Sequence, residues 1–135
     1  MDRNRNQGFS LLELLIALAI VAILATITVP SFSGLLDKSR RSDAMSALLL
    51  VQLAQERWRS RNAGYTQSLE ALGWVSPISS EGYYQLHVIE ADAANYRVLA
   101  QPRAVQRRDS CGVFAIDANG PDYSEGYAGA ACWNR

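Results

Sequence analysis

The chain has 135 residues, with 13 basic and 13 acidic side chains and a formal net charge of zero. That length holds one domain and an appendage, and the charge balance excludes the whole-chain basic field that attracts nucleic acid nonspecifically. The apolar residues are unevenly spread: none of the residues from Leu14 to Leu36 is charged, so the first part of the chain differs in kind from the rest.

Residues 14–29 are almost purely Leu, Ile, Val and Ala, with two threonines near the end. A helix needs about 20 mostly apolar residues to cross about 30 Å of hydrocarbon, and Leu14 to Leu36 meets that length. A cleaved secretory signal would end its apolar core at a small-residue cleavage site. Here the core instead runs on through Pro30 into a helical pattern. A plain membrane anchor does not account for Gly8, Phe9 and Glu13 standing together. Arg3 and Arg5, only partly offset by Asp2, favour a cytoplasmic N-terminus.

The stretch "GFSLLELLIALAIVAILATITVPSF" resembles the N-terminus of type IV pilins and of the pseudopilins of type II secretion. The resemblance implies a leader, residues 1–8, removed by an inner-membrane prepilin peptidase that cuts after Gly8 and methylates the new amine of Phe9. It implies a transmembrane and filament-core helix over 9–36 and a globular head over 37–135. Asn6 and Gln7 stand where many prepilins carry Lys or Arg before the glycine, which bears on the efficiency of processing. Glu13 matches the glutamate that, in the family, meets the terminal amine of a neighbouring subunit and sets axial register. An intramembrane carboxylate is costly and wants a partner, and a buried charge is better suited to register than to stability. A carboxylate near a helix start also suits the helix dipole.

Pro30 cannot donate to the carbonyl of Thr26, so a bend or an opening is expected there. The β-branched Thr26 to Val29, with Ser31, Ser33 and Gly34, make this a weak helical segment. In pilin filaments the helix is locally melted near the matching proline, and a static kink is the other expectation. After Asp37 the pattern turns amphipathic. Ala44, Ala47, Leu48, Val51, Ala54 and Trp58 form one apolar stripe, while Arg41, Gln52, Glu56 and Arg59 fall largely elsewhere. The helix is expected to end near Asn62 and Gly64, a C-cap signal.

"AGYTQSLEALGWVSPISSEG" reads as a connection, with a short helical turn over 68–72. Residues 83–89 alternate as a strand with Tyr84, Leu86 and Val88 on one face, and residues 95–101 alternate through Tyr96, Val98 and Ala100. Glu90 to Ala94 suit the hairpin between them. Residues 112–116 form a third strand, closed by the turn-forming "DANG" at 117–120. The expected class is α+β: a long N-terminal helix packed on a small antiparallel sheet, the pilin fold.

Cys111 and Cys132 are the two cysteines. The topology exports everything after the apolar core, so a disulfide is the natural reading. It would close a turn-rich loop that resembles the C-terminal disulfide-bounded region of type IV pilins. Two distant cysteines and the single His87 make no metal-ligand set. Asp117, Asn119, Asp122 and Glu125 raise a calcium loop, but Pro121 stands where an oxygen ligand is needed, and turn chemistry accounts for Asp117 and Asn119. No metal and no cofactor is expected. Nor is an enzyme: there is no nucleophile motif or phosphate-cradling loop, and His87 reads as a strand residue.

The head strings "YRVLAQP", "RDSCGVFAIDANG" and "CW" resemble a subset of minor pilins needed for pilus assembly and twitching motility. The resemblance implies a subunit held in the inner membrane with its head in the periplasm, then moved to a cell-surface pilus. Its implied partners are other pilins through the N-terminal helix, the peptidase/methylase and the inner-membrane assembly machinery. Two alternatives stay open. One is a type II secretion pseudopilin. The other is a DNA-binding competence pilin, with Arg97, Arg103, Arg107 and Arg108 as contacts to phosphates against a solvated-face reading in which Glu90, Asp92 and Asp109 offset them.

Overall fold

The computed structural model describes residues 8–134 and, for Val29, Pro30 and Ser31, the backbone. The leader residues Asp2, Arg3, Arg5, Asn6 and Gln7 lie outside the described residues, as does Arg135. Helix α1 spans Leu11–Arg59. Leu- and Ala-rich sequence propagates a helix well, and Glu13 in its first turn and Arg57 and Arg59 in its last complement the dipole. The helical assignment is continuous across Pro30, where a bend or an opening was expected. One missing N–H removes one rung of the ladder, which a long helix can survive. Thr26 Oγ1 donates to the Ile23 carbonyl at 2.7 Å and Thr28 Oγ1 to the Leu24 carbonyl at 3.0 Å. Both hydroxyls are thereby satisfied within the helix, as an apolar solvent requires.

The chain divides into two compact units, Met1–Leu35 and Leu36–Arg135. In the first, the large apolar side chains from Phe9 to Leu35, Val29 aside, are each more than half exposed. This part of α1 is long and apolar enough to cross a membrane.

In the second unit, the remainder of α1 lies on a four-stranded antiparallel sheet in the order β1 (Tyr84–Ala91), β2 (Tyr96–Pro102), β3 (Phe114–Asp117), β4 (Gly120–Pro121). Ala44, Leu48 and Val51 of α1 meet Tyr84, Leu86, Tyr96, Val98, Phe114 and Ile116 in one core. Strand alternation sends every second residue of β2 inward, so Tyr96, Val98 and Ala100 are buried as their spacing predicts. Tyr84 and Phe114 meet edge to face at 5.9 Å, and Tyr65 and Tyr96 at 4.7 Å. Burial pushes the Tyr84 hydroxyl up to about 12 and raises that of Tyr96 further, so both rings stay neutral.

Four local expectations change. Glu90 and Ala91 belong to β1, paired with Arg97 and Tyr96, because a bulge at Ile89 lets the ladder run past Val88. The turn is therefore shorter than Glu90 to Ala94, and the Asp92 carboxylate holds it by accepting the N–H groups of Ala94 and Asn95. The third strand begins at Phe114 rather than Gly112, which takes a φ of +61° in the turn after Cys111. The two-residue β4 is too short to show a period.

The buried stripe of α1 passes through Gln55, which is fully buried, rather than through Ala54 and Trp58. Gln55 Nε2 donates to the Thr66 carbonyl at 2.6 Å and its Oε1 accepts the Thr66 N–H at 3.1 Å. This side-chain amide acts as a backbone partner, which a hydropathy pattern cannot reveal. Gly64, finally, is not a helix cap. The end of α1 is closed by Asn62 Nδ2 donating to the Trp58 carbonyl at 2.8 Å. Gly64 instead lets the chain press against the β1–β2 turn: an added Cβ would lie 2.9 Å from both Ala93 Cα and the Asp92 carbonyl.

Candidate functional site

Two regions carry candidate function. In the N-terminal unit, Gly8 and Phe9 precede the helix in irregular backbone, and Phe9 is 79% exposed. Glu13 sits in the first turn, exposed, among exposed leucines. The peptide bond between Gly8 and Phe9 thus lies ahead of the regular helix. A carboxylate one turn into that helix stands at its positive end.

In the head, Cys111 and Cys132 form a disulfide with Cα atoms 5.8 Å apart. The short helix α2 (Ala130–Trp133) brings Cys132 back to the sheet. Trp133 meets Phe114 edge to face at 5.4 Å and packs on the core. Tyr123, half exposed, also meets Trp133 edge to face at 6.4 Å. The loop is therefore clamped onto the core by an aromatic side chain beside the covalent bond.

The structure separates the arginines that the sequence groups together. Arg97, at the start of β2, donates to Asp122 at 3.1 Å and to Glu90 at 3.0 Å. Arg103 lies past the other end of β2, about 20 Å away at about 3.3 Å per residue. It donates to the Gly82 carbonyl at 3.2 Å. Arg107 and Arg108 are exposed in the last turn of a 3-10 helix, Ala104–Arg108. Arg103, Arg107 and Arg108 thus share one end of the sheet, and Arg97 is committed elsewhere. His87 is half-buried on β1, opposite Leu99.

Asp109, counted from sequence as an offset to these arginines, faces inward. Arg41 Nε and Nη2 donate to its two carboxylate oxygens at 2.7 and 2.6 Å. Gln106 Nε2 adds a bond at 2.8 Å and the Cys111 N–H one at 3.2 Å. Burial alone would raise this carboxyl, but the Arg41 guanidinium, the Cys111 N–H and Gln106 together hold it below the usual carboxylate range. Arg41 is raised in turn by the same bond to Asp109. The fork ties α1 to the segment that carries Cys111. The partners are 68 residues apart in the chain, so no local spacing signals the pair. A second buried carboxylate, Asp43, accepts the Ser79 hydroxyl and the N–H groups of Glu81 and Tyr83, and so fixes the approach to β1.

The acidic side chains near the disulfide loop serve turns. Asp117 accepts the Asn119 N–H at 2.7 Å. Asp122 accepts the Ser124 N–H and hydroxyl, which with Arg97 lower its carboxyl.

A long apolar helix behind a Gly–Phe junction, with a disulfide-closed antiparallel head after it, defines a pilin-like subunit. Residues 30–115 match the family described as type IV minor pilin ComP, DNA uptake sequence receptor, and residues 3–29 match the prokaryotic N-terminal methylation motif. The chain belongs to the type IV pilin family, whose members are structural subunits that assemble with other pilins and are processed at that motif; it is not an enzyme. It is 31% identical over 88 residues to the type IV major pilin protein PilA of Myxococcus xanthus (strain DK1622), covering 65% of this chain and 40% of that protein. It is 31% identical over 87 residues to the type II secretion system core protein G of Klebsiella michiganensis, covering 62% of this chain and 61% of that protein. Both matches therefore span less than two thirds of the relative's length. A solved type IV pilin from Shewanella oneidensis is similar at 27% identity and a TM-score of 0.48, over 73% of this chain and 99% of that one.

Proposed function

We propose that the chain is a minor pilin, built into a type IV pilus and supporting its assembly, with twitching motility or adhesion as the output. Cleavage falls between Gly8 and Phe9, Phe9 is N-methylated, and residues 9–36 anchor the subunit in the inner membrane with the head in the periplasm. The observation that carries this reading is the large apolar side chains of the N-terminal unit, exposed from Phe9 to Leu35 with Val29 aside. Such a surface is not stable in water. Lipid covers it first, and neighbouring pilin helices cover it in the filament. Glu13 then meets the methylated amine of a neighbouring subunit and sets register. The segment around Pro30 opens on assembly, where its weak helix formers cost least.

The test is to shear surface filaments and quantify the chain by mass spectrometry against the most abundant pilin. The expected result is substoichiometric presence with N-methylated Phe9 as first residue. Absence from the filaments, with a processed form kept in the envelope, would favour a pseudopilin, the role that the name of the Klebsiella relative suggests. Glu13→Ala is expected to be inserted and processed normally but incorporated at least tenfold less. Normal incorporation would remove the register role.

A second reading, DNA capture during uptake, is favoured by the family description over residues 30–115. Arg103, Arg107 and Arg108 at one end of the sheet are its candidate phosphate contacts, with Arg97 set apart by its acidic partners. Binding of duplex DNA by the full chain in detergent should weaken steeply with salt, because each neutralised phosphate releases counterions.

A further inference from the structure

A groove of about 310 Å³ opens where α1 ends, and the side chains around it do not match a core site. Trp58 lines it together with Ala54, Ala71, Leu72 and the side chains of Arg57 and Arg61. The apolar stripe assigned Trp58 to the core. Yet Leu69, Leu72, Trp74 and Trp133 pack against the core cluster among the described residues, and Trp58 is absent from that group. Its helical neighbour one turn earlier is Ala54, and Ala71 also lines the groove, so two of its lining side chains are small. Leu72, a third lining residue, packs against the core.

The cations around this groove are uneven in their commitments. Arg59 donates to the Tyr65 hydroxyl at 2.7 Å and lies over its ring at 4.8 Å, so it is occupied. Arg57 and Arg61 make no ion pair among the described residues and are exposed. Glu56 accepts the Tyr65 hydroxyl, and Asp92 is capped by the N–H groups of its own turn. Glu70 is exposed on the connection. The groove therefore sets a half-buried indole beside two guanidinium groups that make no ion pair among the described residues. An apolar partner would use the indole and waste both charges. An acidic peptide would use the charges and leave the indole face. A polynucleotide strand uses all three, with bases or sugars against the ring and phosphates on the arginines.

We propose that this groove, where α1 ends, is a contact for a DNA strand, separate from Arg103, Arg107 and Arg108. The proposal rests on the DNA-capture reading above and names a place for it that the sequence did not. The test uses the full chain in detergent with fluorescein-labelled single-stranded and duplex DNA of mixed sequence, titrated at several salt concentrations. Trp58→Ala is expected to weaken binding at least fivefold, more for the single strand than for the duplex, with Trp58→Phe restoring most of it. Arg57→Gln with Arg61→Gln should flatten the log–log salt dependence by between one and two, about 0.9 per phosphate contact on duplex and about 0.7 on single strands. Near-ultraviolet dichroism and thermal unfolding unchanged from the parent keep these effects from being misfolding. If Arg107→Gln with Arg108→Gln abolishes binding while the groove variants bind like the parent, the groove is overturned and DNA capture stands. If the parent binds neither DNA at low salt, both fall. If the groove variants bind DNA normally but are lost from sheared filaments, the groove is a subunit contact and the proposal fails.

Discussion

The two halves of α1 are built from similar residues and have opposite fates. Leu18 and Leu48 are both helical leucines, yet Leu18 is 68% exposed and Leu48 is fully buried. The difference lies in the unit to which each leucine belongs. Leu48 belongs to a unit that supplies a sheet, with Tyr84, Val98 and Phe114 to cover it. Leu18 belongs to a unit that is helix alone among the described residues. One half of the helix is completed by its own chain and stabilises a fold. The other keeps its apolar side chains exposed and is long and apolar enough to cross a membrane.

Paired substitutions test that contrast most strongly. Leu48→Ala should destabilise the head by about 2–5 kcal/mol, the usual cost of emptying a packed site. Leu18→Ala should leave its unfolding within about 0.5 kcal/mol of the parent. Denaturant unfolding of the full chain in mild detergent, read by near-ultraviolet dichroism, measures both. Equal effects would mean that the two halves share one cooperative core.

The disulfide sharpens the comparison next. Replacing Cys111 and Cys132 together by serine should cost the head about 3 kcal/mol, because the open loop regains the entropy that the bond removes. Membrane association should not change, since the exposed apolar stretch long enough to cross a membrane lies in the other unit. The same unfolding measurement, with a fractionation of the variant, separates the two.

The smallest effect concerns acid. The folded head holds Asp109 below its ordinary pKa, so the folded state favours its ionised form. That contribution is complete above about pH 5, well above the ordinary carboxylate value of about 3.9, and it is lost as pH falls through the lower folded value. Unfolding midpoints taken from about pH 6 down to about pH 2 should therefore drop less steeply in Asp109→Asn than in the parent. Parallel curves would mean that the Arg41 fork carries no pH dependence.

Much of this was legible in the sequence, for reasons that differ by region. An uncharged apolar run behind a Gly–Phe junction, with a glutamate at its front, needs no tertiary context to be read. Lipid and neighbouring helices impose composition rather than geometry. The strands carrying Tyr84, Leu86, Tyr96 and Val98 were equally readable, because a half-buried sheet forces alternation. The buried amide of Gln55 was not, since its partner Thr66 is reached only once the chain has turned. Nor was Trp58, whose spacing fits the core stripe although it lies half-buried and apart from the core cluster.

Sequence alone therefore determined the class of this protein: a processed, membrane-competent helix leading into a disulfide-closed α+β head. Local periodicity and composition suffice for that, because each is a property of neighbouring residues. The tertiary structure decided which charges are free. It turned Asp109 inward onto Arg41, tied Arg97 to Glu90 and Asp122, and left Arg57 and Arg61 without an ion pair among the described residues, beside a half-buried indole. Those pairings depend on which distant residues the packed sheet and helix bring within hydrogen-bond reach, and burial, not sequence spacing, sets that distance.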